Sequence, residues 1–148
     1  MPIASSLLER KTAMNNRPVA TASPNDTVLD AAKLMNDLRI GALPVVDADK
    51  RVVGMFTERD VLTRVVASER SPRDVLVQDV MSSPVIACGP DTTLDELRHV
   101  MLTQRIRHIP VVEDGRLLGI VSIGDLNVAQ VAVMTETISY LEQFMYRP

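Results

Sequence analysis

One cysteine, no tryptophan and two histidines are the scarcest chemistry in this 148-residue chain, and each scarcity closes a class of function. A lone Cys88 forbids an internal disulfide and any thiolate metal cluster, and suits a reducing compartment. His99 and His108 have no cysteine or carboxylate partner at metal-ligand spacing, so no metal is predicted. Aromatics at 3% provide no stacking platform for single-stranded nucleic acid, and a formal charge of −3 gives no basic footprint for a phosphate backbone. No apolar run approaches the roughly 20 residues that span a bilayer. The opening MPIASSLLERK lacks an apolar core of signal-peptide length. The expectation is a cytoplasmic protein with neither membrane nor nucleic acid as partner. GxSxG, Walker and dinucleotide-binding glycine phrases are missing as well, and Cys88 reads as small filler at a strand end. The chain is therefore not expected to be an enzyme.

What is present is a repetition. GMFTERDV (Gly54 to Val61) and GIVSIGDL (Gly119 to Leu126) each set a glycine, two apolar residues, a hydroxyl and, three residues on, an aspartate in one order. A displacement of 66 residues carries Pro24 onto Pro90, Thr27 onto Thr93, Met35 onto Met101 and ALPVVD (Ala42 to Asp47) onto HIPVVE (His108 to Glu113). One residue is then lost in a turn, and Gly54 meets Gly119 and Asp60 meets Asp125. Ordered matches of this number mark a tandem duplication.

Each unit reads as strand, helix, strand, strand, helix. PVATA and PVIAC supply the first strand. Val28, Ala31, Ala32 and Met35, and then Leu94, Leu97, Val100 and Met101, recur at helical spacing. Thr27 with Asp30 and Thr93 with Glu96 have the spacing of capping boxes. The runs LPVVD and VVGMF, and IPVVE and LLGIV, read as hairpin-connected strands. A unit of roughly 50–60 residues buries too little apolar surface to be comfortable alone, so the two are expected to pack face to face about a pseudo-two-fold axis.

These repeated phrases, with VQDVMSSPV before the second unit, resemble a tandem pair of cystathionine-β-synthase (CBS) domains, a Bateman module, over about residues 15 to 130. The resemblance implies an α+β fold of two β-α-β-β-α units. The expected division is an N-terminal segment (1–14), unit 1 (15–66), a linker (67–77), unit 2 (78–130) and a C-terminal helical extension (131–148). It also implies a regulatory protein whose clefts between the units accept an adenine nucleotide or related adenosyl compound: AMP, ADP, ATP, NAD or S-adenosylmethionine.

The phrase from hydroxyl to aspartate has two readings. Thr57 with Asp60, and Ser122 with Asp125, can simply cap a helix. Alternatively the hydroxyl and first-turn amides face a phosphate while the carboxylate accepts from a ribose diol, which is the role the resemblance implies for Asp60 and Asp125. Arg107 and His108, in QRIRHIPVV, match phosphate-contacting positions of related modules; unit 1 has Gly41 and Ala42 there, so the two clefts are chemically unequal. By the same resemblance the Asp125 cleft draws on Ser122, Ile120, Ala20, Gly41 and Arg107. The Asp60 cleft draws on Thr57, Met55, Ile86, Pro84 and Arg107 from its other side. The apolar members stand equally for ordinary core.

From Asp125 a helical pattern runs to Met145, with Val131, Met134, Ile138, Leu141 and Met145 stepping as an a/d seam. It serves either to pack on its own domain or, as favoured here, to form a homodimer. Any output must then pass to a regulated partner protein. A ligand-independent dimeric interaction module is the alternative.

Overall fold

The computed structural model describes residues 2–15 and 18–145. In chain order the elements are α1 (Ala4–Asn15), α2 (Val28–Leu38), β1 (Ala42–Val46), β2 (Val52–Thr57), α3 (Glu58–Asp60) running into a π-helical turn (Val61–Val66), α4 (Val77–Val80), α5 (Leu94–Gln104), β3 (His108–Glu113), β4 (Arg116–Ser122) and α6 (Ile123–Met145). The fold is α+β: two small antiparallel sheets, one per repeat, and a long C-terminal helix.

The two hairpins share one register. Ala42 faces Thr57 and Val45 faces Gly54 in the first; His108 faces Ser122 and Val111 faces Gly119 in the second, with a register shift one step later in each. The second turn is the shorter one, closed by Asp114 and Gly115 at φ 53° and 80°. Two consecutive positive φ values match the right-handed twist of the flanking strands.

The expected opening strands are cut to a single parallel bridge each, Ala22 with Val45 and Cys88 with Val111. Ala22 donates its amide to the Pro44 carbonyl (2.9 Å), and the Val46 amide donates to the Ala22 carbonyl (2.9 Å). The next rung would need an N–H at position 44, which proline lacks. Pro110 stops the second ladder at Cys88 in the same way. The carbonyls of Ala20 and Ile86 are thereby released from the sheets.

Helix starts follow the capping pattern. Thr93 and Glu96 form a reciprocal box; Thr27 accepts from the Asp30 amide (3.1 Å) and makes that half alone among the described residues. The helix after Thr57 widens into a π turn, which buries Val65 and leaves Leu62 and Val66 exposed.

Two apolar cores form, and each borrows a segment from outside its own repeat. Val75, Val77 and Val80, which precede the second repeat's first bridge, are buried with Leu43, Val45 and Phe56. Ala4 and Leu7, from the N-terminal segment, are buried with Leu97, Ile109 and Val121. Glycine makes room for both: Met81 lies over Gly54 and Leu8 over Gly119, where a Cβ would stand 2.6 Å from Leu8 Cδ2. Full burial of each such aliphatic side chain is worth about 1.5–3 kcal/mol. This borrowing anchors the segments that flank the repeats in the two cores.

Of α6, Leu126 and Ala129 are buried, and Val131, Met134, Ile138, Leu141 and Met145 are all exposed. The seam does not pack on its own domain. No helix among the described residues is long and apolar enough to cross a membrane.

Candidate functional site

Two clefts open where the repeats meet, and the residues anticipated for each are largely gathered there. The first, about 410 Å³, is lined by Gly41, Met55, Thr57, Asp60, Pro84, Ile86, Arg107 and His108, together with Glu58, Arg59, Ser82 and Val85. The second, about 580 Å³, is lined by Ala20, Gly41, His108, Ile120, Ser122 and Asp125, with Lys11, Val19 and Arg39 among the others. These volumes suit a nucleotide-sized molecule. Arg107 departs from expectation: it lines the Asp60 cleft and is missing from the wall of the Asp125 cleft. The left-handed cap at Arg105 (φ 54°) turns the chain just before β3, and alternation then separates Arg107 from its neighbour. His108 borders both clefts.

Both aspartates cap helices. Asp60 Oδ2 accepts from the Thr57 amide (2.9 Å) and hydroxyl (3.2 Å), while Oδ1 accepts from Ser82 Oγ (3.1 Å) and lies 3.8 Å from Arg64 Nε. At 4% exposure it is the single buried charged residue among those described. Asp125 Oδ2 accepts from the Ser122 amide (2.8 Å), and the Asp125 amide donates to Ser122 Oγ (3.1 Å). Its second partner is Lys11 Nζ at 3.0 Å, and its side chain is 21% exposed. The cap reading is therefore realised at both sites, yet each carboxylate also borders a cleft.

Apolar walls complete each cleft. Ile86 is 38% exposed beside Met55 and Pro84, and Val19 is 41% exposed beside Ala20. Because Pro44 and Pro110 end the parallel ladders, the main chain around Ala20 and Ile86 has no backbone partner among the described residues. These unpaired groups can read the polar edge of a planar ring whose faces rest on the apolar wall. The corresponding groups of Met55 are already used: its amide donates to the Ser82 carbonyl (3.0 Å) and its carbonyl accepts the Ser82 amide (2.8 Å).

Charge divides the clefts. Arg107 has no carboxylate within ion-pair distance among the described residues, and Arg59, in the same cleft, donates Nη1 to the Arg105 carbonyl (2.9 Å), linking the repeats. Glu58 approaches Gly41 so closely that a Cβ there would stand 3.2 Å from its carboxyl carbon. Burial pushes the His108 imidazole below its ordinary value, against the opposing pull of Glu58 and Asp125. Burial also pushes the Cys88 thiol up to about 11, which keeps it protonated and unreactive. No cluster of metal-ligating side chains occurs among the described residues.

Sequence reasoning did not find Glu58, Arg59, Ser82 or Lys11. Glu58 and Arg59 stand inside the quoted phrase TERD, so position next to Thr57 was an available signal. Lys11 reaches its cleft only through the docking of α1, which no local pattern announces.

Comparison with known proteins agrees with this architecture. The CBS domain family matches residues 12–67 and 77–131. A CBS domain-containing protein of Bacillus subtilis, YhcV, is 39% identical over 114 residues, covering 77% of this chain and 80% of that protein. The chain spans 80%, 57% and 71% of the lengths of three curated relatives that it matches. A putative signal-transduction protein with CBS domains from Burkholderia ambifaria superposes with a TM-score of 0.82 at 39% identity, over 88% of this chain and 95% of that one. The CBS domain pair of protein MJ0100, solved in complex with 5-methylthioadenosine and S-adenosyl-L-methionine, superposes with a TM-score of 0.76 at 25% identity, over 89% of this chain and 98% of that one. The chain belongs to the CBS domain family and carries two of its domains in tandem.

Proposed function

We propose that this protein is a regulatory module that binds an adenosine-containing nucleotide in the clefts between its repeats and passes a change of arrangement to a partner protein. One observation carries the reading: the Asp60 cleft combines an apolar wall (Met55, Pro84, Ile86), released main chain near Ile86, a carboxylate and the uncompensated guanidinium of Arg107. Those are, in order, what a base face, a base edge, a ribose diol and a phosphate require. The adenosyl compounds in the MJ0100 pair support the ligand class. The set AMP, ADP, ATP, NAD and S-adenosylmethionine is the panel to try. The chain performs no chemistry of its own in this reading, and a reducing, cytoplasmic setting suits its single protonated thiol.

Signalling in this reading uses α6. Its exposed seam from Val131 to Met145 joins two copies as a homodimer, and Met134 and Met145 make the contact adaptable. A ligand shifts the assembly only as far as it prefers one arrangement. Thermal denaturation and calorimetry with the panel test the binding: a saturating ligand at about 100 times its Kd raises stability by about 2.7 kcal/mol. No shift with any member would refute the reading and leave the ligand-independent dimeric module, which the complete capping of both aspartates favours. Light scattering of Ile138→Glu tests the dimer, since a buried charge there should yield monomers.

A further inference from the structure

Besides Arg107, the two clefts differ at one residue that lies outside both repeats' shared phrases. Lys11 extends from α1 into the Asp125 cleft, where its ammonium donates to the Ile120 carbonyl (2.7 Å) and pairs with Asp125 Oδ2 (3.0 Å). In the Asp60 cleft the Met55 carbonyl and Asp60 Oδ1 are met instead by the amide and hydroxyl of Ser82; the charged group near that oxygen, Arg64 Nε at 3.8 Å, does not line the cleft. The docking of α1 does not rest on Lys11 alone. Ala4 and Leu7 are buried in the second core, the Ala4 and Ser5 amides donate to the Thr92 (2.8 Å) and Pro90 (2.9 Å) carbonyls, and Leu8 lies over Gly119.

We infer that Lys11 is a specificity-determining residue of the Asp125 cleft, selecting anionic nucleotides over neutral nucleosides and cationic adenosyl compounds. The inference rests on the nucleotide-binding reading above. A neutral nucleoside that places its diol on Asp125 Oδ2 competes with the ammonium and offers it only uncharged oxygens in exchange. A sulfonium compound adds like-charge repulsion. A phosphate supplies the ammonium with a new anion as the old one is taken up by the ribose, so the exchange of partners is nearly balanced. Arg39, at the left-handed cap of α2, lines the same cleft and strengthens the bias toward negative charge.

The test is a cleft-resolved NMR titration of the full chain with AMP, adenosine and S-adenosylmethionine. The amides of Gly119 and Gly124 report the Asp125 cleft; those of Gly54 and Ser82 report the other. In the wild type, AMP should move the Gly119 and Gly124 amides at concentrations roughly five- to tenfold below those needed for adenosine, the scale of one partly exposed ion pair. Lys11→Met, which keeps the length of the side chain and the docked helix, should collapse that ratio by strengthening adenosine and weakening AMP, while Lys11→Arg should retain it. The S-adenosylmethionine response at these amides should strengthen in Lys11→Met. An unchanged AMP-to-adenosine ratio in Lys11→Met overturns the inference, as do shifts confined to Gly54 and Ser82 in every variant. Those outcomes leave nucleotide binding in the Asp60 cleft standing. A chain whose amides respond to none of the three compounds refutes the binding reading and the inference together.

Discussion

The Asp60 and Asp125 clefts are built by the same backbone and finished by different chemistry. In both, a hairpin with one register ends in a hydroxyl-and-carboxylate cap, and a proline in the first strand frees the neighbouring main chain. The Asp60 side chain is then sealed at 5% exposure by Thr57, Ser82 and Arg64, whereas that of Asp125 keeps 21% exposure and an external cation. Duplication preserves what the fold needs, and divergence acts on side chains that reach the cleft from outside the repeat. A carboxylate inherited twice lines a cleft in both copies, enclosed by neutral and cationic partners in one and more open beside an external cation in the other.

That contrast can be broken by substitution, and the largest effect is expected at the aspartates themselves. Asp60→Ala removes a buried cap and leaves the Thr57 amide and the Ser82 hydroxyl without their acceptor, for a loss of roughly 3 kcal/mol in urea denaturation. Asp125→Ala should cost about 1 kcal/mol, because its partners are more exposed. Equal losses would mean that the clefts are energetically alike. Next, Arg107→Ala should weaken AMP binding in the Asp60 cleft by about 1.5–3 kcal/mol while leaving adenosine nearly unaffected, as calorimetry with both would show.

A smaller change is expected from Pro110→Val. The restored amide can donate to the Ile86 carbonyl and extend the parallel ladder, so hydrogen exchange should reveal a new protected amide and nucleotide affinity in the Asp60 cleft should fall several-fold. Pro44→Val should do the same for Ala20 and the Asp125 cleft only. The smallest effect concerns pH. Burial holds His108 below its ordinary value of 6.5, so the unfolded chain binds the extra proton more readily. The stability this represents is complete above pH 6.5 and is lost as pH falls through the lowered folded value. His108→Gln should flatten that part of the acid limb in thermal denaturation.

Much of this was legible because it is local. The glycine, hydroxyl and aspartate order gave both hairpin ends and both caps, and helical spacing gave α2 and α5. The opening strands were overread: PVATA and PVIAC have strand composition, but the prolines that stop their pairing stand on the partner strands, at Pro44 and Pro110. The helix after Thr57 was legible in position but not in its π geometry. Lys11 and the docking of Ala4 and Leu7 depend on contacts across more than 80 residues, which periodicity does not encode. The α6 seam was readable as a stripe; its exposure was not, because α1, from the far end of the chain, supplies Ala4 and Leu7 to the second core.

The most direct measurement is a crystal structure of the full chain grown with AMP. The account predicts density in the Asp60 cleft with the base against Ile86 and Met55, its edge on the released main chain, the ribose at Asp60 and the phosphate on Arg107. A cleft left empty at saturating AMP, or a nucleotide bound away from both repeats' interface, would contradict it.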